Sequence, residues 1–472
     1  MTRPVLLVQP PHAKACEPPP GLLALAGHLR SRGVMVTVAD LNVEVQERLL
    51  SEVSLKAAAG ALAARGESGA TLSSARRAVR RALAGLAALR REETYRTWVA
   101  YRGAADALAE GWAAVSRARG ARLSISDLDV PGLSPLSSRD LRAVAESPEL
   151  LPLAPELGAA AAPLLALDPA LIGISATYLS QALPAFALAG HLRREGYRGR
   201  LLLGGSLVNS WAPRLRASSP LFQVWDGMVV GPGEAALETL ALGRDPAEAP
   251  GLLAPAVGAW DVTGTAAHSP MCFAPDPAGL PWNRYLAPGP ILPLAASRGC
   301  YWRRCAFCPE AAQDRQPFRA GAPDTLAEAI LRARDAVGAS RVHLTDDAVP
   351  PGTLRRLARR LRGEGLHWYG FARLERQFLD PAFAHELAEG GCVLLQLGVE
   401  TASQVLLDRM GKGTRAADAG RVLGNLTTAG IRTYVYLLFG LPGESPAEAE
   451  QTLAWAAEHA PWITFANLAL FH

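Results

Sequence analysis

Short apolar runs alternate with amphipathic helical patterns in two parts of the chain, and this alternation constrains the fold more than any other feature. In the first part, the patterns predict strands at 4–9, 34–42, 170–179 and 200–206, a strand and a helix within 226–243, and helices at 18–33 and 184–196. Strands that alternate with helices usually join a parallel sheet that helices cover on both faces. The sequence therefore predicts an α/β fold.

The second part contains six predicted strands separated by five predicted helices. The strands are at 291–297, 341–345, 367–372, 393–399, 432–439 and 463–470. The helices are at 324–337, 352–363, 381–390, 415–429 and 446–459. This series predicts a partial (β/α)6 barrel, with its chemistry on the loops at the C-terminal ends of the strands. The chain ends directly after the sixth strand, so we expect a barrel that is truncated there.

The alternation stops in two stretches, which suggest a domain organisation. Residues 1–243 are predicted to form a Rossmann-like domain, and an Ala-, Arg- and Glu-rich stretch at about 45–165 is predicted to be a helical insertion in it. The Pro- and Gly-rich residues 244–290 are predicted to be a linker. Residues 291–472 then form the barrel domain.

The balance of charges excludes several classes of partner. The 472 residues include 48 basic and 44 acidic ones, a smaller excess than nucleic-acid binding usually requires. No segment is apolar over the ~20 residues of a membrane span, and the N-terminal apolar run is too short for a signal peptide. We therefore expect a cytoplasmic protein that binds neither nucleic acid nor membrane. Only Lys14, Lys56 and Lys412 are lysines, which we interpret as base-composition bias.

Three cysteines crowd together immediately after the first predicted barrel strand. In SRGCYWRRCAFCPE, Cys300, Cys305 and Cys308 have the spacing C-x4-C-x2-C. Three thiolates can hold a 4Fe–4S cluster and leave one iron open for another ligand. A zinc site would need a fourth ligand, for which His343 and Cys392 are candidates. The spacing alone leaves both kinds of metal site open.

The turns after the predicted strands of the first domain are small, polar or glycine-rich. They are Pro10-Pro11-His12, Ser175-Ala176-Thr177-Tyr178, Gly204-Gly205-Ser206 and Gly231-Pro232-Gly233-Glu234. Ligands of open α/β sheets bind outside the carboxyl ends of the strands, where small residues let them approach the backbone. Ordinary tight turns use the same residues, so both interpretations stay open at this point.

The cysteine motif resembles that of the radical S-adenosylmethionine (SAM) superfamily. The usual spacing there is C-x3-C-x2-C, and the extra residue here, with Cys-Tyr-Trp, is similar to the subgroup that has an N-terminal cobalamin-binding domain. The resemblance implies that the three cysteines bind a 4Fe–4S cluster whose open iron takes the amino and carboxylate groups of SAM. It also implies reductive cleavage of SAM to a 5′-deoxyadenosyl radical, with flavodoxin or ferredoxin as an electron donor.

Further segments of the predicted barrel resemble family motifs in the same order. They are the strand ends with Thr345-Asp346-Asp347 and FARLER, and the segments LGVETASQVLLDRMGKG and YLLFGLPGE. The resemblance implies that SAM is bound by Phe307, Thr345, Asp346, Asp347, Arg373, Glu400, Gly440 and Pro442.

The segments LLLGGS and DGMVVGPGEAALETL resemble the cobalamin-binding Rossmann-like module. The resemblance implies a cobalamin site at Ser175, Thr177, Gly204, Gly205, Ser206, Gly231, Gly233 and Glu234. The Asp-x-His-x-x-Gly motif that supplies the lower axial histidine in other modules is absent. His12 lies in the corresponding loop and is the candidate axial ligand, and a module without cobalamin is the alternative.

Together these resemblances imply a cobalamin-dependent enzyme that C-methylates a metabolite or a peptide. A radical SAM enzyme that catalyses a rearrangement or cyclisation without methyl transfer is the first alternative. A non-catalytic metal-binding protein is the second. The sequence assigns no side chain to a substrate pocket.

Overall fold

The computed structural model describes residues 3–65, 69–255, 275–308 and 318–471. The chain divides into two compact units, Met1–Pro290 and Ile291–His472, which we call the first and the second unit. In the described residues, no helix is both long enough and apolar enough to cross a membrane.

The first unit is built on a six-stranded sheet with the strand order β2-β1-β5-β6-β7-β8. Its strands are β1 (Val5–Gln9), β2 (Val36–Asp40), β5 (Leu171–Ser175), β6 (Arg200–Gly204), β7 (Gly227–Val229) and β8 (Leu252–Leu253). All neighbours pair in parallel except β8, which is antiparallel to β7. The parallel part confirms the predicted α/β fold.

Helices cover both faces of this sheet. They are α1 (Pro20–Ser31), α2 (Leu41–Leu49), α3 (Glu52–Ala64), α4 (Gly69–Ala88), α5 (Trp98–Arg119), α6 (Ser138–Glu146), α7 (Ala154–Leu165), α8 (Ala182–Arg194), α9 (Ser206–Trp211) and α10 (Glu234–Ala241). Every residue of β1 is buried because its side chains enter a separate core on each face. A strand buried on both faces is usually apolar throughout, which is why its first four residues, VLLV, show no alternation.

The predicted helical insertion is present and is part of the first unit's core. It contains α3 to α7 and a small hairpin of β3 (Arg122–Leu123) and β4 (Leu128–Asp129). Trp112 of α5 and Leu157 of α7 are almost fully buried in the same hydrophobic cluster as β1 and α8. The insertion therefore contributes to the folded core.

The described parts of residues 244–290 pack against the first unit. They include β8, and the hydroxyl of buried Tyr285 donates a hydrogen bond to Asp40 over 2.8 Å. Arg284 also forms an ion pair with Glu47 of α2. These contacts make the two ends of the predicted linker part of the first unit, while Cys272 lies outside the described residues.

The second unit is built on six parallel strands in their order along the chain. They are β9 (Ile291–Leu294), β12 (Arg341–Leu344), β13 (His367–Ala372), β14 (Cys392–Glu400), β15 (Arg432–Phe439) and β16 (Phe465–Leu470). A separate pair, β10 (Ser297–Arg298) and β11 (Arg319–Ala320), flanks the cysteine segment. Within the described residues β9 and β16 are the two edges, as expected for a partial barrel.

Helices connect successive strands of this sheet. They are α11 (Pro323–Val337), α12 (Pro351–Leu361), α13 (Pro381–Glu389), α14 (Gln404–Arg409), α15 (Ala416–Thr428) and α16 (Pro446–Glu458). Four of them begin with proline, which fits the first turn because its fixed φ is helical and the missing N–H has no helical partner there. Ser445 and Glu448 add reciprocal capping hydrogen bonds at the start of α16. The five helices predicted here are present, and α14 is an additional short one.

Candidate active site

The cysteine loop, which we define as residues 299–308, follows β10 at the C-terminal end of β9. Cys305 is buried, whereas Cys300 and Cys308 are partly exposed. In the described part of the chain, no group of three or more His, Cys, Asp and Glu side chains is arranged to hold a metal ion. The donor chemistry nevertheless fits an iron–sulfur cluster, because three thiols lie within nine residues of one loop.

Asp346 holds the start of this loop. Its two carboxylate oxygens accept hydrogen bonds from the Ala296 backbone N–H over 2.8 Å and from the Ser297 hydroxyl over 2.5 Å. Burial raises the pKa of Asp346 to about 6, although both hydrogen bonds favour its ionised form. The sequence assigned Asp346 to SAM, whereas both of its oxygens are used to fix the backbone that leads to the cysteines.

Thr345 and Asp347, the two neighbours of Asp346, are in different environments. The backbone N–H of Thr345 donates to the Leu294 carbonyl over 2.9 Å, which ties the end of β12 to β9. Asp347 is exposed. Of the two carboxylates in this motif, Asp347 is therefore the one that a bound ligand can reach directly.

The second half of the cysteine loop is held by residues 410–413, which we call the docking turn. The backbone N–H of Ala306 donates to the Met410 carbonyl, and the indole N–H of Trp302 donates to the Gly411 carbonyl, each over 2.8 Å. Gly413 has a φ of +69°, and a Cβ atom there would lie 2.0 Å from the Trp302 ring. Only glycine can therefore occupy this position without moving Trp302.

Phe307 also packs against the docking turn. Its ring lies against a buried cluster of Leu406, Leu407, Met410 and Leu441. The ammonium group of Lys412 lies 5.6 Å from the centre of the ring. This packing fixes the residue that precedes Cys308.

Arg373 follows β13 and is buried beside the cysteine loop. Its Nη1 atom lies 3.9 Å from the Cys305 sulfur, and Nη2 donates to the Lys412 carbonyl over 2.5 Å. Its Nε atom donates to Glu375 over 3.0 Å. The guanidinium thus links the buried cysteine to the docking turn.

Glu400 lies at the end of β14, where the strand pairing with β15 contains a bulge. Its φ is +65°, a conformation that side chains other than glycine rarely adopt. Its carboxylate forms an ion pair with Lys412 over 2.5 Å, and both side chains are largely buried. Strained backbone of this kind is common at functional sites.

Gly440 and Pro442 lie in the exposed loop after β15. Gly440 has a φ of +74°, and its N–H donates to the Glu444 carboxylate over 2.5 Å. The Leu441 N–H donates to the same carboxylate over 3.2 Å. Glu444 therefore holds this loop in a compact turn.

The contacts of the docking turn are the part of the site that sequence reasoning missed, although its residues end the segment LGVETASQVLLDRMGKG. Its contacts bring together Cys305, Phe307, Arg373 and Glu400, which are far apart in sequence. A signal was available, because Lys412 is one of only three lysines in an arginine-rich chain.

The candidate cobalamin residues of the first unit lie at the C-terminal ends of β5, β6 and β7. After β5, the backbone N–H groups of Thr177 and Tyr178 both donate to the Gln181 side chain, over 2.8 and 3.0 Å. Thr177 is exposed, and so is Tyr178, at 58%. Ser175, at the end of β5, is partly exposed.

The glycine turns after β6 and β7 are shaped by different constraints. Gly205 has a φ of +97°, and a Cβ atom there would lie 2.3 Å from the Ala176 carbonyl oxygen. Gly231 has a φ of +83°, and its N–H donates to Asn209 over 2.8 Å. A contact between loops therefore explains Gly205 without a ligand.

The other predicted residues of these turns divide by exposure. Gly204 and Gly233 are partly exposed and Ser206 is exposed, whereas Glu234 is fully buried at the start of α10. The Glu234 side chain would have to leave this buried position to contact a ligand at the surface.

His12, the candidate axial ligand, is buried by the insertion. Its Nε2 atom is hydrogen-bonded to the Ser124 carbonyl, and its ring meets Trp112 edge-on with 5.1 Å between centroids. Burial lowers the pKa of His12 to about 4, so the ring is neutral at pH 7 and Nε2 carries the proton that it donates. In this arrangement Nε2 cannot also ligate cobalt, whereas the buried Nδ1 atom has no hydrogen-bond partner among the described residues.

Residues 294–456 match the family described as the radical SAM superfamily. The second unit therefore contains a radical SAM domain. The match starts at the end of β9, includes the cysteine loop and the docking turn, and ends within α16.

Two curated relatives match part of this chain. An uncharacterized methyltransferase of Pyrococcus horikoshii is 26% identical over 182 residues, which are 38% of this chain and 39% of the relative. Tryptophan 2-C-methyltransferase of Streptomyces laurentii is 30% identical over 179 residues, which are 34% of this chain and 29% of the relative. The chain thus matches less than two fifths of the length of each of these relatives.

A solved structure resembles the whole chain. It is the radical SAM methyltransferase TsrM of Kitasatospora setae with tryptophan and a SAM analogue bound. The TM-score is 0.61 at 17% sequence identity, and the alignment covers 99% of this chain and 72% of the TsrM chain. A second TsrM structure, with cobalamin and a [4Fe–4S] cluster bound, has a TM-score of 0.56 at 18% identity. That alignment covers 100% of this chain and 72% of the TsrM chain. At such identities the similarity establishes the fold alone.

Proposed function

We propose that this chain is a radical SAM enzyme in which Cys300, Cys305 and Cys308 hold a 4Fe–4S cluster. The observation that carries the proposal is the cysteine loop itself. Three thiols follow the first strand of a radical SAM domain, and the docking turn holds the loop from Trp302 to Phe307. A loop fixed in this way spends less conformational entropy when it closes around a metal centre.

A bound cluster would supply the electron that cleaves the S–C5′ bond of SAM, giving methionine and a 5′-deoxyadenosyl radical. The protein's own residues bind and orient SAM. The carboxylate of exposed Asp347 can accept a hydrogen bond from the amino group of SAM. The aromatic ring of Phe307 offers a surface on which the adenine can pack. Thr345, Glu400, Gly440 and Pro442 complete the proposed set.

We further propose that the first unit binds cobalamin at the C-terminal edge of its sheet. Support comes from the exposed Thr177, Tyr178 and Ser206, and from the fold shared with a structure that contains cobalamin. Because His12 is fully buried and its Nε2 atom is engaged by Ser124, we propose that it is not the axial ligand. The proposed reaction is C-methylation of a small molecule or peptide, in line with the methyltransferases among the relatives.

Cofactor content after anaerobic reconstitution with iron, sulfide and hydroxocobalamin tests both proposals. We expect about four irons per chain and a cobalamin absorption spectrum in the wild type. The variant C300A/C305A/C308A should lose the iron and keep the cobalamin. C392A is the matched control, because Cys392 is a buried cysteine outside the loop, and it should retain the iron.

Two results would overturn these proposals. The first is a wild type that contains zinc in place of iron and that loses the zinc both in C392A and in the loop variant. This result would indicate a zinc site. A wild type that binds the cluster but no cobalamin would instead support a radical SAM enzyme without cobalamin-dependent methyl transfer.

A further inference from the structure

Arg373 makes a set of contacts that its predicted role in SAM binding does not explain. Only 5% of this residue is exposed. Beyond the contacts with Cys305, Lys412 and Glu375, the guanidinium carbon lies 4.4 Å from the centre of the Trp302 ring. These contacts aim a permanent positive charge at the one buried sulfur of the cysteine loop.

In the described part of the chain, Arg373 forms an ion pair with Glu375. Glu375 accepts from Arg373 and also from the Tyr301 hydroxyl, which donates to it over 2.9 Å. Lys412, the other buried cation nearby, is paired with Glu400. Among the described residues, Glu375 is therefore the carboxylate that balances Arg373, and it also accepts a hydrogen bond from neutral Tyr301.

We propose that Arg373 is a positioning residue that directs its charge toward the Cys305 sulfur and thereby raises the reduction potential of the cluster held by that sulfur. This inference rests on the proposed function. Reduction adds one negative charge to the cluster, and a nearby cation in a poorly solvated site stabilises the reduced form. Hydrogen bonds to ligand sulfurs and solvent exposure are the means by which proteins set these potentials.

The contact with the docking turn makes arginine better suited than lysine to this role. The planar guanidinium donates at once to the Lys412 carbonyl and to Glu375, while Nη1 remains directed at the sulfur. Lysine would retain the charge without this fixed geometry. We therefore expect Arg373→Lys to recover part of the effect of the charge.

The experiment is an EPR-monitored redox titration of the reconstituted cluster without SAM. We expect R373M to lower the midpoint potential by about 59 mV, which corresponds to a tenfold change in the reduction equilibrium of a one-electron couple. R373K should lie between R373M and the wild type. The matched control is R376M, because Arg376 is an exposed arginine three residues away, and it should titrate with the wild type.

Glu375→Gln tests the same idea in the opposite direction, and it is informative even if R373M fails to hold a cluster. Neutralising the partner leaves the charge of Arg373 less compensated, so the potential should rise. A cluster of full iron content whose potential is unchanged in E375Q, or in R373M, would overturn the inference. A wild type that binds no cluster would instead overturn the proposed function.

Discussion

Lys412 shows how much a single residue can contribute to this site. It is the buried one of the three lysines, and its pairing with Glu400 joins the docking turn to the end of β14. A buried ion pair costs desolvation on both sides, and removing one partner leaves the other charge buried without compensation.

We therefore predict that K412M lowers the free energy of unfolding by about 3–5 kcal/mol. The double variant K412M/E400Q should lose less than K412M, because it leaves no unpaired charge. Urea unfolding of the three proteins measures this difference. The control K56M removes an exposed lysine of α3 and should have little effect. Equal losses in K412M and the double variant would contradict the assigned pairing.

At the residue scale, the sequence predicted the type of chemistry better than it predicted the contacts between side chains. The cysteine spacing indicated the metal centre, because ligands on one short loop are visible in a sequence. The family resemblance implies SAM binding by Asp346, but its hydrogen bonds to Ala296 and Ser297 depend on how β9 and β12 pair. Contacts of this kind arise only when distant segments come together.

The docking turn gives the clearest prediction at the scale of an element. G413A would bring a Cβ atom to 2.0 Å from Trp302 and would also strain the backbone at a φ of +69°. We expect the displaced Trp302 to loosen the cysteine loop, so that the reconstituted protein binds less iron and loses it faster to a chelator.

Gly430 provides the control for this prediction. Its φ is +84°, and a Cβ atom there would have no neighbour within 4 Å. G430A therefore has similar backbone strain without the collision. If G413A and G430A retain iron equally well, the contact between the docking turn and Trp302 does not hold the loop.

The raised pKa of Asp40 leads us to predict that the stability of the first unit depends on pH. It caps α2 by accepting from the Val43 N–H and also accepts from Tyr285, and burial raises its pKa to about 6. The folded chain therefore keeps a proton on Asp40 that the unfolded chain releases near pH 4, so the free energy of unfolding should fall as the pH rises from 4 to 6.

D40N keeps the cap and removes the titration. We expect the fall in stability between pH 4 and 6 to be smaller in D40N than in the wild type by up to about 3 kcal/mol. Asp346 has a raised pKa in the same range and is present in both proteins, so the difference isolates Asp40. Urea unfolding at each pH measures it, and parallel profiles would contradict the raised pKa of Asp40.

At the element scale, strands buried on both faces were predictable because their sequences are continuously apolar. The two-residue strands β3, β4, β8 and β11 were not, because two residues have no periodicity. The predicted linker shows the same limit. Its Pro- and Gly-rich composition indicated an extended segment, but Tyr285 is fixed by a distant partner in β2.

At the scale of the whole molecule, each unit combines a parallel sheet with a set of candidate cofactor residues at its C-terminal edge. In the second unit, the radical SAM match and the cysteine loop point to the same chemistry. In the first unit, the exposed loops after β5 and β6 carry the proposed cobalamin site, while the insertion covers His12. The alternation of strands and helices predicted both sheets, whereas the position of the insertion against His12 depends on tertiary packing.

The central claim is that the three loop cysteines support reductive cleavage of SAM, and product analysis tests it most directly. Reconstituted wild type is incubated anaerobically with SAM and dithionite beside C300A/C305A/C308A, and 5′-deoxyadenosine is quantified by liquid chromatography. The account predicts release of 5′-deoxyadenosine by the wild type and none by the variant. Equal release by both proteins, or no release by a wild type that holds its full complement of iron, would contradict it.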